Sequence, residues 1–207
     1  MTKNKNGLKT TSVILVAVSL ALTVLVYPIQ AALYWHFQTF PAESDLSWIK
    51  DAIISIAGQV VLLLGFIKSY DKEKPATLLS IYLVGSCVNL LYTVITYPQL
   101  SIATFINLIV LIIRFAMFVF VTVDYFRGFK LIKATFVLYA LCTFPTLVGA
   151  LVINVYQAAT LSEPYFVVYV KSVVASVASL CIAAAILLYF FSHLKPALKK
   201  ENAPESM

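Results

Sequence analysis

Apolar residues run along this chain in six long stretches, at 12–35, 50–68, 77–97, 102–125, 132–156 and 165–192. Each is close to the roughly 20 residues that a helix needs to cross a hydrocarbon core about 30 Å thick. None shows the short alternating segments of a membrane barrel. A lone segment in lipid must satisfy its own backbone hydrogen bonds, and a helix does so. The pattern predicts an all-α bundle of six transmembrane helices over residues 12–192, with an N-terminal segment 1–11 and a basic tail 193–207. The breaks are polar or proline-bearing: Pro41 with Glu43, Ser44 and Asp45; the KSYDKEKP string from Lys68 to Pro75; Pro98; Asp124 to Lys133; and Ser162-Glu163-Pro164. Beyond Pro196 the tail is short and charged, and is expected to be disordered. The first stretch is too long for a signal-peptide core and lacks a small-x-small cleavage pair, so it is read as a retained helix.

Within the apolar runs, polar and small residues recur at three- and four-residue steps, which places each set on one helix face. The first run has Ser12, Ser19, Thr23, Gln30 and Tyr34, and the second Asp51, Ser55, Gly58 and Gln59. The third has Tyr82, Ser86, Asn89, Thr93 and Thr96, the fourth Ala103, Asn107 and Arg114. The fifth has Tyr139, Thr143, Thr146, Ala150 and Asn154, the sixth Ser172, Ala175, Ser176, Ser179 and Ala183. Such faces turn from lipid toward one another. Small stripes, including Ala17 with Ala21, read as helix packing. The third stripe serves equally as packing or as a cavity wall, because Tyr82 and Asn89 are large for close approach. Pro28 and Pro145 lie inside their runs and bend them; Pro145 deprives the Leu141 carbonyl of its donor, and Thr143 and Thr146 are near enough to compensate.

Composition sharpens the class. The 207 residues are 61% hydrophobic and 12% charged, about half the roughly 25% charge of soluble domains. This excludes a soluble enzyme, a disordered chain and a disulfide scaffold. The net charge of +6 is not gathered on one helix or loop, so no nucleic-acid partner is expected. It is sorted by side instead. Lys3, Lys5, Lys9, Lys68, Lys72, Lys74, Arg127, Lys130, Lys133, Lys195, Lys199 and Lys200 all fall on one side of a six-span arrangement. Basic loops stay inside, so both termini are expected to be cytoplasmic, in a cell membrane taken to be the bacterial cytoplasmic one. Tyr34, Trp35, Trp48, Tyr97, Tyr156 and Tyr165 would then girdle the outer interface, and Tyr70 and Tyr125 the inner one.

Candidate chemistry is sparse. Cys87, Cys142 and Cys181 lie in apolar runs and read as small hydrophobes. His36 and His193 fall at opposite faces and cannot share a metal. No zinc-protease string, paired carboxylates or phosphate loop is present, so neither enzyme nor cofactor is expected. Two cations stand out. Arg114 is central to its run, where insertion costs about 3 kcal/mol or more. Lys171 is about 9 Å below the outer surface. No acid lies at mid-depth: Asp51 is near the outer end and within possible reach of Lys171, and Asp124 is at the inner end. Three partners compete for Arg114: the amides and hydroxyls of Gln59, Asn89 and Thr23; a lipid phosphate or a partner's carboxylate; or an anionic ligand.

The leading expectation is a membrane protein that binds or transports a small anionic or carboxylate-bearing solute in a polar cavity, with Arg114, Lys171, Asn89, Gln59 and Asn107 as its ligand-binding residues. The alternative is a non-transporting accessory, immunity-type or regulatory protein, whose polar faces serve packing and a membrane partner subunit. In size and topology alone the chain is similar to the substrate-binding subunits of bacterial energy-coupling-factor vitamin transporters. Their abundant membrane glycines are missing, since this chain has six.

The charge pattern makes a direct prediction about topology. In a background free of Cys87, Cys142 and Cys181, single cysteines placed in 68–75 or 124–133 resist an impermeant maleimide on intact cells, whereas those in 40–46 or 159–163 react. External labelling of 68–75 would overturn the six-span reading.

Overall fold

The computed structural model is helical throughout the residues it describes, apart from the turn at 127–131 and Tyr70; these residues are 2–37, 47–70, 77–95, 102–160 and 165–201. The helices are α1 (Thr2–Phe37), α2 (Ser47–Ser69), α3 (Thr77–Ile95), α4 (Ile102–Phe126), α5 (Ile132–Thr160) and α6 (Tyr165–Glu201). Five carry a stretch long and apolar enough to cross a membrane: Asn6–Pro28, Thr77–Ile95, Leu108–Phe126, Ile132–Thr160 and Tyr169–Leu194. The apolar stretch of α2, Ala52–Lys68, is shorter. Only 11–39% of the apolar window in each of the five is buried against protein, so most of that surface needs lipid around it.

Two boundaries differ from the sequence expectation. α1 begins at Thr2, where Thr10 and Thr11 hydroxyls donate back to the carbonyls of Asn6 and Gly7. α6 does not end near Pro196 but continues to Glu201, through a run of good helix formers.

The helices form a ring in chain order. The backbone of each packs on its chain neighbours and α6 closes against α1; across the ring only side chains meet, as Phe66 of α2 does Tyr189 of α6 at 5.5 Å between ring centroids. The α1–α6 seam is polar. Ser12 Oγ donates to the Ala185 carbonyl at 3.2 Å and Ser19 Oγ to the Ala178 carbonyl at 2.9 Å, with both serines fully buried. The contact face of α1 is therefore Ser12, Val16 and Ser19. Ala17 and Ala21, expected to be packing residues, are exposed. Between α5 and α6, Asn154 Nδ2 donates to Ser176 Oγ at 3.0 Å. α2 and α3 approach most closely at Gly65, where an added Cβ would stand 3.0 Å from Leu79 Cδ2 and 3.4 Å from the Leu79 backbone nitrogen.

One end of the ring, which holds the start of α1, the end of α6 and the α4–α5 turn, is filled by aromatic side chains. Phe66, Tyr70, Tyr125, Tyr189 and Phe190 are all buried there. Tyr70 meets Tyr189 edge-on at 5.1 Å between centroids, and its hydroxyl lies 3.2 Å from Ser12 Oγ. This corrects the expectation that Tyr70 and Tyr125 line a membrane interface: both point inward. Of the expected outer girdle, Tyr156 alone has a described side chain, and it is exposed.

The α4–α5 turn is built from backbone geometry and one carboxylate. Gly128 (φ 72°) and Phe129 (φ 60°) are left-handed, and Phe129 N–H donates to the Asp124 carbonyl while Gly128 N–H donates to that of Tyr125. These are the bonds of a Schellman helix stop. A left-handed phenylalanine costs roughly 1–2 kcal/mol. Its ring offsets this by packing on Tyr125 (5.6 Å), Phe190 (5.8 Å), Tyr189 (5.9 Å) and the imidazole of His193 (4.8 Å). The buried Asp124 carboxylate accepts from Leu131 N–H at 2.8 Å and from Thr135 Oγ1 at 2.5 Å, which caps α5 with a negative charge at its positive end.

This turn sets the second prediction. Asp124→Ala strands a backbone donor and a buried hydroxyl, and should cost about 2–4 kcal/mol; Asp124→Asn, which keeps one acceptor, should cost about half as much. Chemical unfolding in detergent measures both, and an alanine variant as stable as the parent would contradict the capping role.

Candidate functional site: a groove between the second and third helices

Away from the Gly65–Leu79 contact, α2 and α3 separate. The space between them is a groove of about 660 Å³, within the usual range for small-molecule sites. One wall is Ile54, Ser55, Ala57, Gly58, Gln59 and Val61; the other is Ile81, Tyr82, Gly85, Ser86, Asn89 and Thr93; Ile182 of α6 forms the back. The third-helix stripe read from the sequence is thus a cavity wall. Gly58 and Gly85 both face open space, with nothing within 4 Å of a Cβ added at either. Toward the aromatic end, the gap among Leu62, Phe66, Leu79, Leu83, Tyr125, Ile186 and Tyr189 shrinks to about 10 Å³, at or below the room one water needs. The groove is therefore closed at that end.

The polar lining has two kinds of member. Gln59 is committed to neighbours: its Oε1 accepts from Ser19 Oγ at 3.2 Å, and its Nε2 donates to Thr23 Oγ1 at 2.8 Å and reaches Ser55 Oγ at 3.4 Å. Ser86 and Thr93 donate to the carbonyls of Tyr82 and Asn89 on their own helix, a turn behind, which leaves hydroxyl oxygens facing the groove as acceptors. Asn89 is exposed to the groove.

The five ligand-binding residues expected from the sequence are not gathered in one place. Gln59 and Asn89 share the groove. Lys171 is on the α1–α6 side, with Nζ 5.7 Å from the centre of the Tyr27 ring, a cation–π contact. Asn107 lies on α4, but its side chain is outside the described residues, as is that of Asp51. Arg114 is half-buried on α4, and its Nε is buried with no hydrogen-bond partner. Gln59 and Thr23, offered as its solvating groups, bond each other instead.

The sequence places the hydroxyls of Thr143 and Thr146 near the proline kink. Thr146 Oγ1 does bond back within α5, to the carbonyls of Cys142 (3.1 Å) and Thr143 (2.9 Å) rather than to that of Leu141. The buried Thr143 hydroxyl has no partner. Among the described residues, no group of three or more His, Cys, Asp or Glu side chains comes together to hold a metal.

No protein family, curated protein or solved structure matches this chain.

The two glycine environments give a paired prediction. Gly85→Leu should fold within about 0.5 kcal/mol of the parent, because its side chain enters open groove. Gly65→Leu should lose about 1–3 kcal/mol from overpacking against Leu79. Thermal unfolding in one detergent compares them, and equal losses would show that α2 and α3 are not pinned at Gly65.

Proposed function

We propose that this multi-pass membrane protein has six spans with both termini cytoplasmic, and that it binds or transports a small anionic or carboxylate-bearing solute in the groove between α2 and α3. The observation that carries the reading is the groove itself: it is of ligand size, polar along one helix face, and closed by aromatic rings at the basic end. A solute would reach it from the opposite, outer side. The apolar stretch of α2 is shorter than the others, but α2 packs between α1 and α3 in the ring, and this supports its crossing with them. The basic residues at the described ends, Lys68, Arg127, Lys130 and Lys133, sit at the same end as both termini, and that supports the orientation. No reaction on the solute is part of this proposal, and the cell membrane is its expected place.

Arg114 would supply the charge. Its guanidinium offers a fork of donors that a carboxylate fills in bidentate fashion. Asn89 would add an amide in the groove, and Lys171 would act on the approach rather than in the seat. The alternative, an accessory or regulatory membrane protein, draws on Gln59, whose bonds to Ser19 and Thr23 are those of a packing residue.

Uptake into proteoliposomes, over a panel of small anions, separates the two. Arg114→Gln should fold yet lose uptake; Arg114→Lys should retain about a tenth of it; Lys171→Gln should lower the apparent affinity by a few-fold at most. A parent protein that neither binds nor moves any member of the panel would leave the accessory reading.

A further inference from the structure

Among the described residues, two buried side-chain polar atoms have no hydrogen-bond partner: Nε of Arg114 and Oγ1 of Thr143. They are on neighbouring antiparallel helices, and the register brings them together. Phe118 of α4 meets Tyr139 of α5 edge-on, with centroids 6.1 Å apart. Arg114 lies four residues before Phe118, and Thr143 four residues after Tyr139. Because the helices run in opposite directions, both steps lead the same way, by about one turn each, and both keep to the same face. The two unpartnered groups therefore occupy one layer of the ring.

Their chemistry specifies what would complete the layer. Arginine only donates, and a threonine hydroxyl can donate once. Each buried donor left unmade costs on the order of 1–3 kcal/mol, more for a charged one. A group that accepts from both satisfies the layer, and a carboxylate, with two oxygens, about four lone-pair sites and a charge to meet that of Arg114, does so. Tyr139, one turn from this layer, belongs to the buried cluster on which Tyr82 packs, and Tyr82 is part of the groove wall, so the layer adjoins the groove. Among the described residues the groove lining contains no charged side chain, and it is apolar at Ile54, Val61, Ile81 and Ile182. A second charge on the solute would have no counter-ion there.

We propose that Arg114 and Thr143 form the anion seat of the groove and take the head group of an amphipathic monocarboxylate, whose apolar body lies along Ile81, Val61 and Ile182. This rests on the reading of the groove as the ligand site.

The test is calorimetric titration of the full chain in nanodiscs, with empty nanodiscs as reference, using straight-chain acids from acetate to octanoate together with palmitate, hexanol and adipate. Affinity should rise about threefold to fourfold per methylene until the groove is filled. Hexanol and adipate should each bind at least tenfold more weakly than hexanoate. Thr143→Val should weaken every acid about fivefold, Thr143→Ser should restore binding, and Arg114→Gln should abolish it. Gly85→Leu should cut the series short. A maximum at six to eight carbons identifies a water-borne solute, and a rise continuing to palmitate identifies a fatty acid drawn from the bilayer; both support the seat. Hexanol binding as tightly as hexanoate, or Thr143→Val indistinguishable from the parent, overturns the seat and leaves the groove reading intact. A flat chain-length series, with Arg114→Gln still abolishing acetate binding, overturns the groove as the place of the body. No binding by any acid overturns both.

Discussion

The seam between the first and last helices is the contact on which the rest of the molecule depends. In lipid there is no hydrophobic force to drive helices together, because the tails are as apolar as leucine. Association rests on close approach and on polar bonds. Ser12 and Ser19, seven residues apart, donate to the carbonyls of Ala185 and Ala178, also seven apart, in antiparallel register. Alanine at both acceptor positions leaves the backbone open to a short hydroxyl; a leucine there would cover it. Without this seam, six helices in chain order would make an open row with every polar face toward lipid. Closing the row creates an inside, and only then can Gln59, Tyr139 and Arg114 turn away from the bilayer.

The two ends of the ring then behave differently. At the basic end the polar bonds and rings reinforce one another: Ser12 reaches Tyr70, Tyr70 stacks edge-on with Tyr189, and Phe129 inserts beside both Tyr189 and Phe190. Phe129 holds a left-handed backbone for this purpose, and such strain persists only where surrounding contacts over-determine it. Gly65 lets α2 and α3 touch near the same end. Beyond Gly65 the facing residues include Gly58 and Gly85, which fill no space, so the hairpin opens. The groove is thus the consequence of a hairpin pinned at one end and glycine-faced at the other.

Much of this was legible in the sequence, for physical reasons. Lipid demands long apolar runs, so the six helices and their order could be read directly. The stripe from Tyr82 to Thr93 showed which face of α3 avoids lipid, and the cost of a central arginine marked Arg114. Other features have no such signature. Tyr70 and Tyr125 lie at the depth of an interfacial girdle, and depth does not say whether a ring points out or in. Asp124 ahead of a turn, with a threonine in the first turn of the next helix, is a capping pattern that the sequence does carry. Thr143 was hidden by its commonness: Thr23, Thr93, Thr122 and Thr160 each return their hydroxyl to a carbonyl four residues back, and nothing in the chain says that Thr143 does not.

Magnitudes decide what balances Arg114. Asp124 is on the same helix, ten residues on, about 15 Å along the axis. At an effective dielectric near 20, two unit charges at that distance attract by about 1 kcal/mol. That is well short of the 3 kcal/mol or more that a central arginine costs to bury. Asp124 is also already engaged, accepting from Leu131 and Thr135 at the start of α5. Its carboxylate stabilises the turn and cannot serve two positions three turns apart. Within the described residues the charge of Arg114 therefore has no adjacent acid to meet it, and its Nε has no neutral acceptor. On the reading proposed above, the counter-charge comes from the solute. On that reading, a ring closed by aromatic side chains at one end and open along the groove at the other would admit the charge from a single direction, carried on a body that tolerates apolar walls.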